Sequence, residues 1–89
     1  MAGIYRRPSR IAASLLLVLF ERGEATTQDL CRELGIDSRI LWSRVWHWVR
    51  RGIVHREGVV WRLTPDGKAL VAKYKPWLEV VANGEARKA

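Results

Sequence analysis

Eighty-nine residues, 48% of them apolar, make one small folded domain, too short for most enzymes with a deep substrate pocket and too apolar to be disordered. The formal net charge is +7 and the pI about 10.5, a balance that favours nucleic acid, an anionic lipid surface or an acidic protein as partner. A single cysteine, Cys31, excludes an internal disulfide and any zinc site built from cysteines, and fits a reducing, cytoplasmic setting.

Residues 1–8 read as a basic N-terminal arm carrying Arg6 and Arg7. Basic residues followed by the apolar run Ile11–Phe20 resemble the start of a secretory leader. However, Glu21-Arg22-Gly23-Glu24 offers no small-residue cleavage site. Ten apolar residues are also half of the roughly 20 needed to cross a bilayer. The run is therefore expected to be a core helix, capped by Ser9 and ended by Gly23. Thr26 or Thr27 caps a second short helix with Leu30, Cys31 and Leu34 inward, and Gly35 ends it. Asp37 or Ser38 caps a third helix that runs to Arg51, with Gly52 as its stop. Ile53–Arg56 and Val59–Leu63 are β-prone, and Glu57-Gly58 is expected to turn a hairpin between them. Val59, Trp61 and Leu63 are expected inward, with Val60 and Arg62 outward. Thr64 and Pro65 start a last helix, which Pro76 should kink near Lys75. Residues 83–89 read as a flexible tail.

The expected class is mainly α with a small β-hairpin, in the order helix-helix-helix-strand-strand-helix, with residues 9–82 as the domain. Three stretches carry a resemblance: Thr26-Thr27 before Leu30 with the Gly35 turn, "VRRGIVHRE" at the exit of the third helix, and "WRLTPDGKAL" at the second strand. Together they resemble a winged helix-turn-helix domain of the kind found in MarR- and PadR-like regulators and small archaeal regulators. The resemblance covers about residues 10–75. It implies a DNA-binding transcription regulator whose third helix enters the major groove, and an aromatic core residue at the position of Trp61.

The third helix can be read face by face at about 100° per residue. Leu41, Val45, Trp48 and Val49 form the inward stripe. Arg39, Ser43, Trp46, His47 and Arg50 form the opposite row, with Trp42 at the border and Arg44 and Arg51 on a flank. In a helix-turn-helix that row faces the groove. Arg39 is suited to a guanine edge, Ser43 to a base or phosphate, and Arg50 and Arg51 to the backbone. No acidic side chain occurs from Ser38 to Arg56. Thr27 and Gln28 at the start of the second helix are candidates for a phosphate. Arg56 is the hairpin's candidate for a phosphate or a minor groove, and Arg62 the second basic residue there. The expected DNA-binding set is therefore Thr27, Gln28, Ser38, Arg39, Trp42, Ser43, Trp46, His47, Arg50, Arg51, Arg56 and Arg62. Tyr74, Trp77, Leu78 and Val81 exceed what a small core needs and point to a homodimer seam, the competing reading being that this helix folds back on the first and completes a monomer core.

An exposed Trp-plus-Arg face is also the composition of a protein–protein hot spot, so a protein-interaction module is the alternative. His47 and His55 have no carboxylate or cysteine at a spacing that builds a triad or metal site, and there is no Gly-rich phosphate loop. No enzyme, cofactor, metal or membrane association is expected.

Overall fold

The computed structural model describes residues 8–84. Seven elements follow in order: α1 (Arg10–Arg22), β1 (Glu24–Thr26), α2 (Thr27–Leu34), α3 (Ser38–Arg50), β2 (Val54–Glu57), β3 (Val60–Leu63) and α4 (Pro65–Asn83). Local chemistry sets most of the boundaries. The Ser9 hydroxyl accepts from the Ala12 N–H at 3.0 Å and starts α1. Thr26 and Asp29 form a reciprocal capping box on α2, and Gly35 ends it in the left-handed conformation with φ 69°. Asp37, not Ser38, caps α3 by accepting from the Ile40 N–H at 2.9 Å. Thr64 caps α4, and Pro65 occupies its first turn.

Two features depart from the sequence reading. The first is β1, a three-residue strand that the sequence does not announce. It pairs antiparallel with β3, giving a sheet in the order β1-β3-β2. The second is the hairpin turn, which is Gly58-Val59 and not Glu57-Gly58, because Glu57 pairs with Val60. Gly58 has φ 63° while Val59 does not have positive φ, the pattern of a II′ turn. Val59 is therefore not inward but the exposed tip of the hairpin, with 63% of its surface accessible. The kink expected near Lys75 is present: α4 breaks at Tyr74 (φ −108°, ψ 15°), two residues before Pro76. Proline removes a helical donor and its ring crowds the preceding turn, so the strain is released upstream of it.

The core is one cluster. Leu15, Leu16 and Leu19 of α1, Leu30 of α2, Leu41, Val45 and Trp48 of α3, Trp61 and Leu63 of β3, and Val71, Leu78 and Val81 of α4 are all buried. Leu78 and Val81, two of the four residues offered for a dimer seam, are buried in the chain's own core, where α4 packs chiefly against the broad apolar face of α1. Only Tyr74 and Trp77 stay half-buried, in edge-to-face contact at 6.2 Å. Cys31 is half-buried and reduced. Of the N-terminal arm, only Pro8 is described and it is buried. Asn83 ends α4 with Gly84 as its cap, and the rest of the arm and tail lie outside the described residues.

Candidate nucleic-acid interface

Burial of Leu41, Val45 and Trp48 fixes the rotation of α3 about its axis and turns the opposite row outward. Ser38, Arg39, Trp42, Ser43, Arg44, Trp46 and Arg50 are all exposed. Trp46 and Trp42 keep 44% and 36% of their surfaces accessible, a large exposure for indoles. Among the described residues Arg39 makes no ion pair, and neither does Arg44. The Ser43 hydroxyl donates to the Ile40 carbonyl at 2.9 Å and accepts from Arg44 Nη1 at 3.4 Å. Its remaining capacity toward a ligand is as an acceptor.

Each exposed indole carries a guanidinium. Arg50 lies over Trp46 at 4.9 Å, and Arg56, from β2, lies over Trp42 at 4.7 Å. Trp42 in turn meets Trp61 edge-to-face at 5.1 Å. The two sides of the sheet explain this contact. Arg56 pairs across the ladder with Trp61, so both project toward the helices, whereas His55, Arg62 and Glu24 share the outer side. Arg56 Nη1 also donates to the Gly58 carbonyl at 3.0 Å. On the flank of α3, His47 and Arg51 pack against Trp48, with ring centroids at 4.8 Å and the Arg51 guanidinium at 5.6 Å.

Other expected contacts take different roles. The Thr27 hydroxyl accepts from buried Trp61 Nε1 at 2.7 Å, and its backbone N–H donates to the Val59 carbonyl at 2.8 Å. Thr27 therefore ties α2 to the sheet and to the hairpin tip, leaving its N–H occupied. The start of α2 already holds a carboxylate. Asp29 accepts from the Thr26 N–H, and the hydrogen bonds with Thr26 hold it below its ordinary 3.8, helped by Arg22 and Arg32. An additional anion there would meet like charge. Gln28 is exposed beside it. Arg62 is paired with Glu24 at 3.3 Å and Glu57 at 3.7 Å on the outer side of the sheet, away from the Trp42 side. Two residues escaped the sequence reading. Ile40 on α3 and Val59 at the hairpin tip are exposed apolar groups at 39% and 63%, and only the observed register reveals the second.

Among the described residues, no group of three or more His, Cys, Asp or Glu side chains could hold a metal ion. Among them too, no helix is long and apolar enough to cross a membrane.

No family model and no curated protein matches the chain. Solved structures do. The crystal structure of NadR in complex with 4-hydroxyphenylacetate superposes with a TM-score of 0.70 at 21% identity, over 83% of this chain and 58% of that one. Ligand-free NadR gives 0.65 at 24% identity, over 84% and 54%. The fold is a winged helix-turn-helix. The chain spans little more than half the length of either NadR chain. In this fold α2 and α3 are the helix-turn-helix, and the β2–β3 hairpin is the wing.

Proposed function

We propose that this chain is a winged-helix DNA-binding regulator that lays α3 in the major groove and works as a cytoplasmic homodimer, without catalysis or a cofactor. The observation that supports it is the exposed face of α3. It presents Arg39, Ser43, Trp46 and Arg50 in one row and is joined by Arg56 of the wing, with no acidic residue from Ser38 to Arg56. Arg39, near the start of the helix and without an ion pair, is the guanine reader. Ser43 accepts from a base amino group, and Trp46 lies against a thymine methyl. Arg44, Arg50, Arg51 and Arg56 meet phosphates. Ser38, His47 and Gln28 border that footprint. Tyr74 and Trp77 are the remaining candidates for a contact between protomers.

The test is a titration with a mixed-sequence duplex, followed by Trp fluorescence at several salt concentrations. About four phosphate contacts give a log–log salt slope of roughly −3.6, a loss of about 150-fold in affinity between 50 and 200 mM salt. Replacing Arg39, Arg50 and Arg51 together by Ala should abolish binding. Arg62→Ala, at a residue already paired with two carboxylates, should change affinity by less than about twofold. Binding that survives the triple change at low salt overturns the assignment to α3.

The exposure of both Trp42 and Trp46 favours one alternative, a protein-docking module with these indoles as its hot spot. That reading requires duplex binding to be weak and indifferent to sequence, and partner capture to vanish in Trp46→Ala.

A further inference from the structure

The wing of such a domain is the obvious candidate for the minor groove beside the recognition helix, and its one unpaired arginine is Arg56. We propose instead that Arg56 binds a phosphate on the rim of the same major groove that α3 enters, and that Trp42 is the residue that positions it there. The proposal rests on the DNA-binding reading given above.

Five observations carry it. The β2–β3 register places Arg56 opposite buried Trp61, on the side of the sheet that faces the helices. Its guanidinium lies 4.7 Å over Trp42 of α3 and 5.8 Å from Trp61, folded back from the tip. One of its N–H groups is held by the Gly58 carbonyl at 3.0 Å. Of the five N–H donors of a guanidinium, the others remain for a ligand in the plane of the fork. The tip itself is the two-residue turn Gly58-Val59, which bears no cation and is flanked by Glu57. Arg62 is neutralised by Glu24 and Glu57 on the far side of the sheet. The wing therefore has no free cation beyond its tip to insert into a minor groove, and its available one lies against the recognition helix.

The arrangement is repeated one turn along α3, where Arg50 lies over Trp46. Trp42 and Trp46 are four residues apart, about 6 Å along the axis. Both indoles hold a guanidinium at the edge of the exposed row. An arginine held in this way keeps its in-plane donors while losing few rotamers on binding, which suits a bidentate phosphate contact. Trp42 lies between the core arc and the outward row, so the fork it carries faces the groove's rim and not the base edges at its centre.

The experiment compares wild type, Arg56→Ala and Trp42→Leu on a panel of duplexes, with and without netropsin as a blocker of the minor groove. Arg56→Ala is expected to weaken binding about five- to tenfold on every sequence and to lower the salt slope by about 1. Netropsin is expected to leave the ratio between wild type and Arg56→Ala unchanged. Trp42→Leu should produce a similar loss, with little further loss when Arg56→Ala is added. Circular dichroism checks that Trp42→Leu remains folded, and if it does not, the Arg56→Ala and netropsin comparison decides alone. If netropsin lowers wild type to the level of Arg56→Ala, the arginine is in the minor groove and the proposal fails. A loss confined to particular sequences places the arginine on a base edge and also overturns it. Unchanged affinity of Arg56→Ala, with wild type still salt-dependent, defeats this inference alone. No duplex binding by wild type defeats the DNA-binding reading with it.

Discussion

Thr27→Val asks whether Thr27 holds the fold or touches DNA. Valine matches threonine in shape, so the substitution leaves no cavity and removes only the hydroxyl. That hydroxyl accepts from Trp61 Nε1 at 2.7 Å, and Trp61 is fully buried. Without it the indole N–H has neither protein nor solvent to donate to, at a cost of about 1–3 kcal/mol. For a domain of this size each kcal/mol lowers Tm by about 4–8 °C, so the expected fall is roughly 4–20 °C. Urea unfolding followed by Trp fluorescence measures it, and Trp61→Phe supplies the control. With no indole N–H to satisfy, Thr27→Val should cost little in that background. Duplex affinity of folded Thr27→Val should stay within about twofold of wild type. A variant as stable as wild type, or one equally destabilised in the Trp61→Phe background, would refute the reasoning. So would a variant of full stability that loses duplex affinity tenfold.

Gly67→Ala should destabilise, although alanine in a helix normally gains up to about 1 kcal/mol over glycine. A Cβ on Gly67 runs into the Ile53 carbonyl, which accepts from the Thr64 N–H at 3.1 Å, so the expected loss is roughly 1–3 kcal/mol and a rise in Tm would count against this packing. Asp29 accepts from Thr26 more strongly as a carboxylate, and its folded pKa lies below the ordinary 3.8. Its contribution is complete above the unfolded value and fades as pH falls through the lower folded one. Asp29→Asn should therefore lose less stability than wild type in acid unfolding below about pH 4. An unchanged acid limb would remove the capping box from that account.

Local chemistry was legible wherever it closes within a few residues. Ser9, Gly23, Thr26, Gly35, Asp37, Thr64 and Pro65 mark their helix ends by capping and backbone geometry alone, and helical spacing identified the inward stripe of α3. What failed depended on distant partners. Glu24-Ala25-Thr26 has no alternation to mark it, and it is a strand only because β3 arrives beside it. Two adjacent valines after Gly58 hid the true register, so the turn expected at Glu57-Gly58 falls one residue early and Val59 reads as inward. Arg62 reads as a free cation until its register sets it against Glu24. Thr27 resembled a phosphate ligand because its actual partner, Trp61, is 34 positions away. Helical periodicity identified Leu78 and Val81 as apolar, but it could not say that α1 would cover them.

The short strand β1 also bears on how the domain folds and opens. By pairing with β3 it closes a loop that contains all of α2 and α3. The ladder and the Trp61–Thr27 hydrogen bond, spanning 34 positions, form only after that loop is brought together, at the entropic expense of a long-range contact. Once formed, they make the two helices and the hairpin one cooperative unit. Amide hydrogens of β1, α3 and β3 should then exchange through a common opening, with β1 as the latch. A mutation in those three residues, remote from the arginine row, would disorder the exposed face of α3 and the wing together and not one contact at a time.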